Sequence, residues 1–206
     1  MSPAGWAALT AVVLVVLAAG WYAVQLARRL DRLHWRLLST RDALDRLTVR
    51  RAADARLLAA SGLLDAEPAR ALTDAATTCL MADEAVFVND DLDRRRDGLG
   101  GVAYDERSVA ERNERESALS RALRACLTPQ ARDRVSADPE GSRLLESLDM
   151  ACYRVQLARS MHNLDVTQVR HLRENAWVRA LHLYGRATPP DTIDFDDGAS
   201  ALGPGR

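Results

Sequence analysis

From Ala4 to Ala27 the chain carries no charged side chain, and Arg28, Arg29, Arg32 and Arg36 follow at once. Wound as a helix, this run extends about 36 Å, enough to cross a bilayer core of roughly 30 Å. Trp6 stands near one end and Trp21 and Tyr22 near the other, where amphipathic rings favour the two membrane interfaces. No Lys or Arg precedes the run, so the positive-inside rule predicts the Arg-rich side in the cytoplasm. Residues 4–27 therefore read as a single transmembrane helix, 1–3 as a short extracytoplasmic N-terminus and 28–196 as a cytoplasmic domain on the cell membrane. A competing reading takes Leu17-Ala18-Ala19-Gly20 as a signal-peptide cleavage site and exports the rest. The missing basic n-region and the length of the apolar run oppose it.

The 206 residues carry a net charge of −1, so no domain-wide basic excess exists to displace counterions from nucleic acid. Lys is absent and all basic charge comes from Arg, which GC-rich coding explains more simply than phosphate recognition. Cys79, Cys126 and Cys152 are widely spaced and form no C-x-x-C pair. They read as small buried residues in a reducing compartment. The juxtamembrane arginines predict contact with anionic membrane lipids, worth on the order of 1 kcal/mol each, partly offset by Asp31.

The helical signal continues past the span. Leu26, Leu30, Leu33, Leu37, Leu44, Leu47 and Leu58 form an a/d-type seam, with Thr40, Arg51 and Asp54 filling its polar positions, and no Pro or Gly interrupts it before Gly62. The membrane helix is thus expected to continue into a bundle and end near Ser61-Gly62. Asp65-Ala66-Glu67-Pro68 starts a second helix running to about Ala85. Residues 86–106 read as a long loop. Helical spacing returns from Ser108 to Leu127. Thr128-Pro129 and Asp138-Pro139-Glu140 are further helix starts, the second opening a long helix to about Glu174. A short helix from Trp177 to Tyr184 ends at Gly185, and the acidic tail, 197–206, is expected to be disordered. No segment of any length alternates with period two. The predicted fold is all-α: an N-terminal transmembrane helix continuing into an antiparallel bundle of four to five helices.

Two segments carry a family resemblance. The stretch 154–163 contains Ala158-Arg159 and, four residues later, Asn163; with Val166, Arg170 and Arg173 downstream it resembles the late-helix signature of the LemA family. His162 stands where that family usually has Tyr. Arg50-Arg51 and Asp54 are similar to the family's double-Arg segment, Ala118–Leu123 also matches, and Gly185-Arg186-Ala187, Pro190 and Phe195 look like the high-GC Gram-positive variant. The resemblance spans residues 25–196 in order. It implies a membrane-anchored antiparallel bundle with its N-terminus outside and no assigned enzymatic activity.

The residues themselves point the same way. His34, His162, His171 and His182 make no His-x-x-x-His or His-Glu-x-x-His pattern, so no helical zinc template exists. His162 lies on an apolar face, as a core histidine does, and Cys152 is ten residues from it, too far for a nucleophile–base pair on one helix. A Nudix-like reading fails on spacing: Gly100 and Glu106 fit, but Arg115-Glu116 falls one residue late and Leu119 and Ser120 replace metal-binding glutamates. Asp91 and Asp93 hint at a calcium loop, yet Arg95 and Arg96 occupy the next ligand and the turn glycine.

That leaves no catalytic, metal-binding or cofactor-binding residue to name, and the expected role is a non-enzymatic interaction or scaffold module. Its expected partners are lipid and a protein of unknown identity, not nucleic acid, with self-association left open. Arg50, Arg51, Asp54, Arg159, Asn163, Arg170 and Arg173 admit two roles. They are either paired groups that set helix register, or an Arg-lined surface recognising an acidic partner or phosphate.

Overall fold

A computed structural model of the chain describes residues 3–81, 87–88, 106–184 and 188–198. Among these the fold is all-α, with six helices: α1 Pro3–Ala60, α2 Ala66–Leu80, α3 Glu106–Cys126, α4 Pro129–Ser136, α5 Pro139–Glu174 and α6 Ala176–Ala180. Met1 and Ser2 of the expected outer terminus lie outside the described residues. So do most of the expected loop (with Asp91, Asp93, Arg95, Arg96 and Gly100), the Gly185-Arg186-Ala187 match and residues 199–206 of the tail.

Helix α1 is 58 residues long, about 87 Å at the α-helical rise. Among the described residues it is the one helix long and apolar enough to cross a membrane, and its most apolar window is not buried at all. From Leu26 onward its seam enters the core: Leu26, Leu30, Leu33, Leu37, Leu44 and Leu58 are buried. Each such leucine contributes roughly 1.5–3 kcal/mol. The helix stops at Ala60, and Gly62 takes φ 76°, the left-handed position a Cβ would penalise.

The helices alternate in direction. Along α1 from Leu30 to Leu58 the partners on α5 run backwards, from Val169 through Val155 to Leu148. Helix α3 runs with α1, since Asp45 pairs with Arg112 and Arg51 with Glu116. Helix α2 returns between them, its Cys79 reaching the Arg115 carbonyl at 3.5 Å. The result is an up–down–up–down bundle of α1, α2, α3 and α5 around Ala52, Ala55, Leu58, Leu72, Leu123 and Leu148. Towards the apolar end of α1 it thins to an α1–α5 pair, closed by α6 against Leu26, Leu30 and Leu33.

The Pro-linked starts form as their chemistry dictates. Thr128 Oγ1 accepts from the Ala131 amide at 3.3 Å, and Asp138 Oδ2 accepts from the Gly141 amide at 2.8 Å. Gly141 is required by closeness: a Cβ there would lie 2.2 Å from the Val135 carbonyl oxygen at the end of α4.

Three boundaries differ from expectation. Helix α2 ends at Leu80, where the Met81 amide closes on the Thr77 carbonyl. The final helix covers Ala176–Ala180 rather than Trp177–Tyr184, because His182 adopts φ 47°. Its amide and that of Leu183 close back on Arg179 and Val178, a Schellman ending. Finally, the expected disordered tail begins too early: Asp197 is folded against α5, held by Arg159 at 2.7 Å.

Candidate functional site

Of the residues that carried the family resemblance, Arg159, His162, Asn163, Arg170 and Arg173 converge on the chain's own C-terminal segment. Residues 188–197 run extended along α5, antiparallel to it, from the level of Arg173 up to that of Gln156. Arg159, Asn163, Arg170 and Arg173 recur at steps of three, four or seven and so share one face of α5. Arg173 donates to the Thr188 carbonyl at 3.0 Å and Arg170 Nε to the Pro190 carbonyl at 2.9 Å. Asn163 Nδ2 donates to the Ile193 carbonyl at 3.0 Å while its Oδ1 accepts the Ile193 amide at 2.9 Å. This amide side chain thereby pairs with the peptide group as a neighbouring strand would. His162 is fully buried, with Nε2 3.4 Å from the Asp191 carbonyl oxygen.

The far end of this strap is locked by charge and by two apolar plugs. Arg159 bonds Asp197, Gln156 donates to the Asp197 carbonyl at 2.7 Å, and Arg124 from α3 grips both carboxylate oxygens of Asp196. Ile193 and Phe195 enter a core cluster with Leu44, Phe87, Val88 and Val155, against which Ala158 packs. Phe195 stacks on Phe87 with centroids 5.6 Å apart. The guanidinium groups of Arg51 and Arg159 stand 5.8 and 5.6 Å from its ring.

Arg51 is the most deeply buried charge in this region. With none of its side chain exposed, it donates to Glu116 Oε2 at 2.6 Å, to the Glu116 carbonyl at 3.2 Å and to Ser120 Oγ at 3.1 Å. Arg50 and Asp54 belong to a different face. Arg50 Nε and Ser147 Oγ both donate to Asp54 Oδ2 at 3.0 Å. They edge an open recess of about 520 Å³ that Arg143, Glu146 and Arg154 also line. Val166 is a core residue against the leucines of α1, and Arg36 reaches the buried Asp165 at 3.5 Å. Arg28, Arg29 and Arg32 are exposed on α1.

Of the two roles open to the family-pattern residues, the geometry displays pairing. The acidic group met by Arg159 and Arg170 is the strap's own: Asp197 and Asp191 respectively. Sequence reasoning missed the strap. The signal was present but short: Ile193 and Phe195 alternate with Thr192, Asp194 and Asp196 directly after Pro189-Pro190. The alternation covers five residues, at the short end of what a strand-like segment shows, and only two of them are apolar.

Arg124 holds the Asp196 carboxyl below its usual range through its hydrogen bonds. Docking thus favours the ionised form. Its contribution is complete above the unfolded carboxylate value of about 4 and disappears as pH falls through the lower folded value. Protection factors for amide exchange at Ile193 and Asp196 should therefore be high at neutral pH and fall below pH of about 4, before those of the Leu145–Leu148 region of the core. Equal loosening of both regions would count against an acid-sensitive strap.

No group of three or more His, Cys, Asp or Glu residues able to hold a metal occurs among the described residues. Burial pushes the Cys79 thiol up to about 12 and Cys152 to about 11, and raises Cys126 as well, so none is a thiolate near neutral pH. Glu116 is committed to Arg51, while Leu119 and Ser120 are buried in the bundle. No protein-family model, curated protein or solved structure matches the chain.

Proposed function

We propose that the chain is a membrane-anchored helical bundle of LemA type, with its N-terminus outside, its bundle in the cytoplasm, and a non-enzymatic role as an interaction module. The observation that carries this reading is the continuity of α1: one helix serves as both the apolar span and the central rod of the bundle. Four arginines directly after the span favour the cytoplasmic side for everything that follows.

A surface for association accompanies the anchor. On the outward face of α5, Met150, Leu157 and Leu164 recur every seven residues, flanked by Tyr153 and Met161, all more than two-fifths exposed. That repeat is the seam of a two-stranded coiled coil. Anchoring in one bilayer holds copies in the same orientation, so the occupant we assign to the seam is the α5 of a second copy. Ser160, exposed between Leu157 and Leu164, sits on this seam.

One variant, Ser160→Cys, tests both statements, because the three native cysteines are poorly reactive. In intact cells an impermeant maleimide should leave it unlabelled, and permeabilisation should restore labelling. A short bis-maleimide should then yield a covalent dimer. Labelling of intact cells overturns the cytoplasmic placement, and crosslinking that gives monomer alone overturns self-association.

A further inference from the structure

Helix α6 and the turn after it lie beside the stretch of α1 where the uncharged span ends. Val178 is fully buried against Leu26, Leu30 and Leu33, with Leu183 and Tyr184 packed on the same cluster. The Tyr22 and Trp177 rings meet edge to face, centroids 6.3 Å apart and planes at 79°. Tyr22 is six residues before Arg28, the first charged position, which is about 9 Å along the helix axis. Whatever medium surrounds Tyr22 must also surround Trp177.

The outward chemistry of this region fits a lipid interface. Trp177 and Leu181 are each 47% exposed, next to Trp21 at 67% and Tyr22 at 46%. The adjoining positions are cationic: residues 28–36 hold four arginines against Asp31, and residues 166–184 hold three against Glu174. By sequence the two segments carry a net +5 in a chain whose total is −1, and Asp165 and Asp191, which face Arg36 and Arg170, reduce the collar to +3. Between the two segments lies an open recess of about 320 Å³ bordered by Arg28, Asp31, His34, Leu183 and Tyr184. Apolar and aromatic side chains on one side with arginines on the other are the pattern of segments that sit in the headgroup zone.

We infer that α6 is a second membrane contact: a foot that inserts Trp177 and Leu181 into the cytoplasmic bilayer interface beside the anchor, under a collar of arginines that binds anionic headgroups. This rests on the membrane-anchored reading and adds to it that the C-terminal end of α5 is docked on the lipid as well. The collar then fixes how far the bundle stands from the bilayer and which side of α1 it occupies.

The test uses the full-length chain in phosphatidylcholine–phosphatidylglycerol vesicles, with single-tryptophan variants that retain Trp21, Trp35 or Trp177 and carry Phe at the other three positions. Lipids brominated near the headgroup end of the acyl chain should quench Trp177 and Trp21 strongly. Trp35, about 20 Å further along α1 than Tyr22, should keep its emission. Adding Leu181→Glu, at a half-exposed position outside the bundle core, should release Trp177 from quenching and leave Trp21 quenched. Quenching of Trp21 without Trp177 overturns the foot and leaves the anchor standing. Quenching of neither overturns both, and equal quenching of Trp35 overturns the assigned depth.

Discussion

Glu116→Ala is expected to destabilise the folded bundle by about 3–5 kcal/mol, because it strands the buried Arg51 guanidinium without its counter-charge. Arg51 has no exposed side chain and Glu116 almost none, and the remaining contacts, Ser120 and a backbone carbonyl, are neutral. For a domain of this size the loss corresponds to a fall in melting temperature of roughly 6–20 °C. Replacing both members with methionine should recover most of it, since an apolar pair of similar volume carries no desolvation cost. Urea unfolding of the detergent-solubilised protein, followed by circular dichroism, reads both variants. A cost under about 1 kcal/mol for Glu116→Ala would show that water reaches the pair and that it behaves as a surface bridge.

Phe195→Ala should have the second-largest effect, about 3–5 kcal/mol of local or global stability. The ring is 4% exposed, stacks on Phe87 and lies between two guanidinium groups. Its removal takes away the apolar plug that keeps the strap on α5. Limited proteolysis should then cut within residues 188–198 while α1 and α5 stay intact. Adding Asn163→Ala should cost little more, because both substitutions release one docked segment and are therefore not additive. Full additivity would mean that Asn163 stabilises α5 independently of the strap.

The long elements were legible because periodicity reports burial. The leucine seam from Leu26 to Leu58 and the two Pro-linked helix starts correspond to observed features of α1, α4 and α5. The polar seam positions Arg51 and Asp54 were read as polar groups inside a helical interface, and both are buried. Their partners were not legible. Glu116 lies 65 residues from Arg51, and spacing along one helix cannot say which other helix will face it. The strap escaped for a related reason: it has no helical period, and Ile193 and Phe195 provide too few alternating positions to stand out from a loop. Arg159, Asn163 and Arg170 were recognised as a pattern, but a pattern of donors does not identify its acceptors. These turned out to be carboxylates and carbonyls of the same chain. The cysteines, expected as small buried residues, are buried at Cys126 and Cys152 and half-buried at Cys79.

Past Gly20, α1 contains neither glycine nor proline up to its end at Ala60, so nothing within it can act as a joint. The 33 residues from Arg28 to Ala60 form a lever about 48 Å long. Tilting the anchor by roughly 10°, within the range that bilayer thickness imposes on such helices, sweeps the lever's tip through about 8 Å. Membrane geometry is thereby transmitted mechanically to the end of the rod farthest from the lipid.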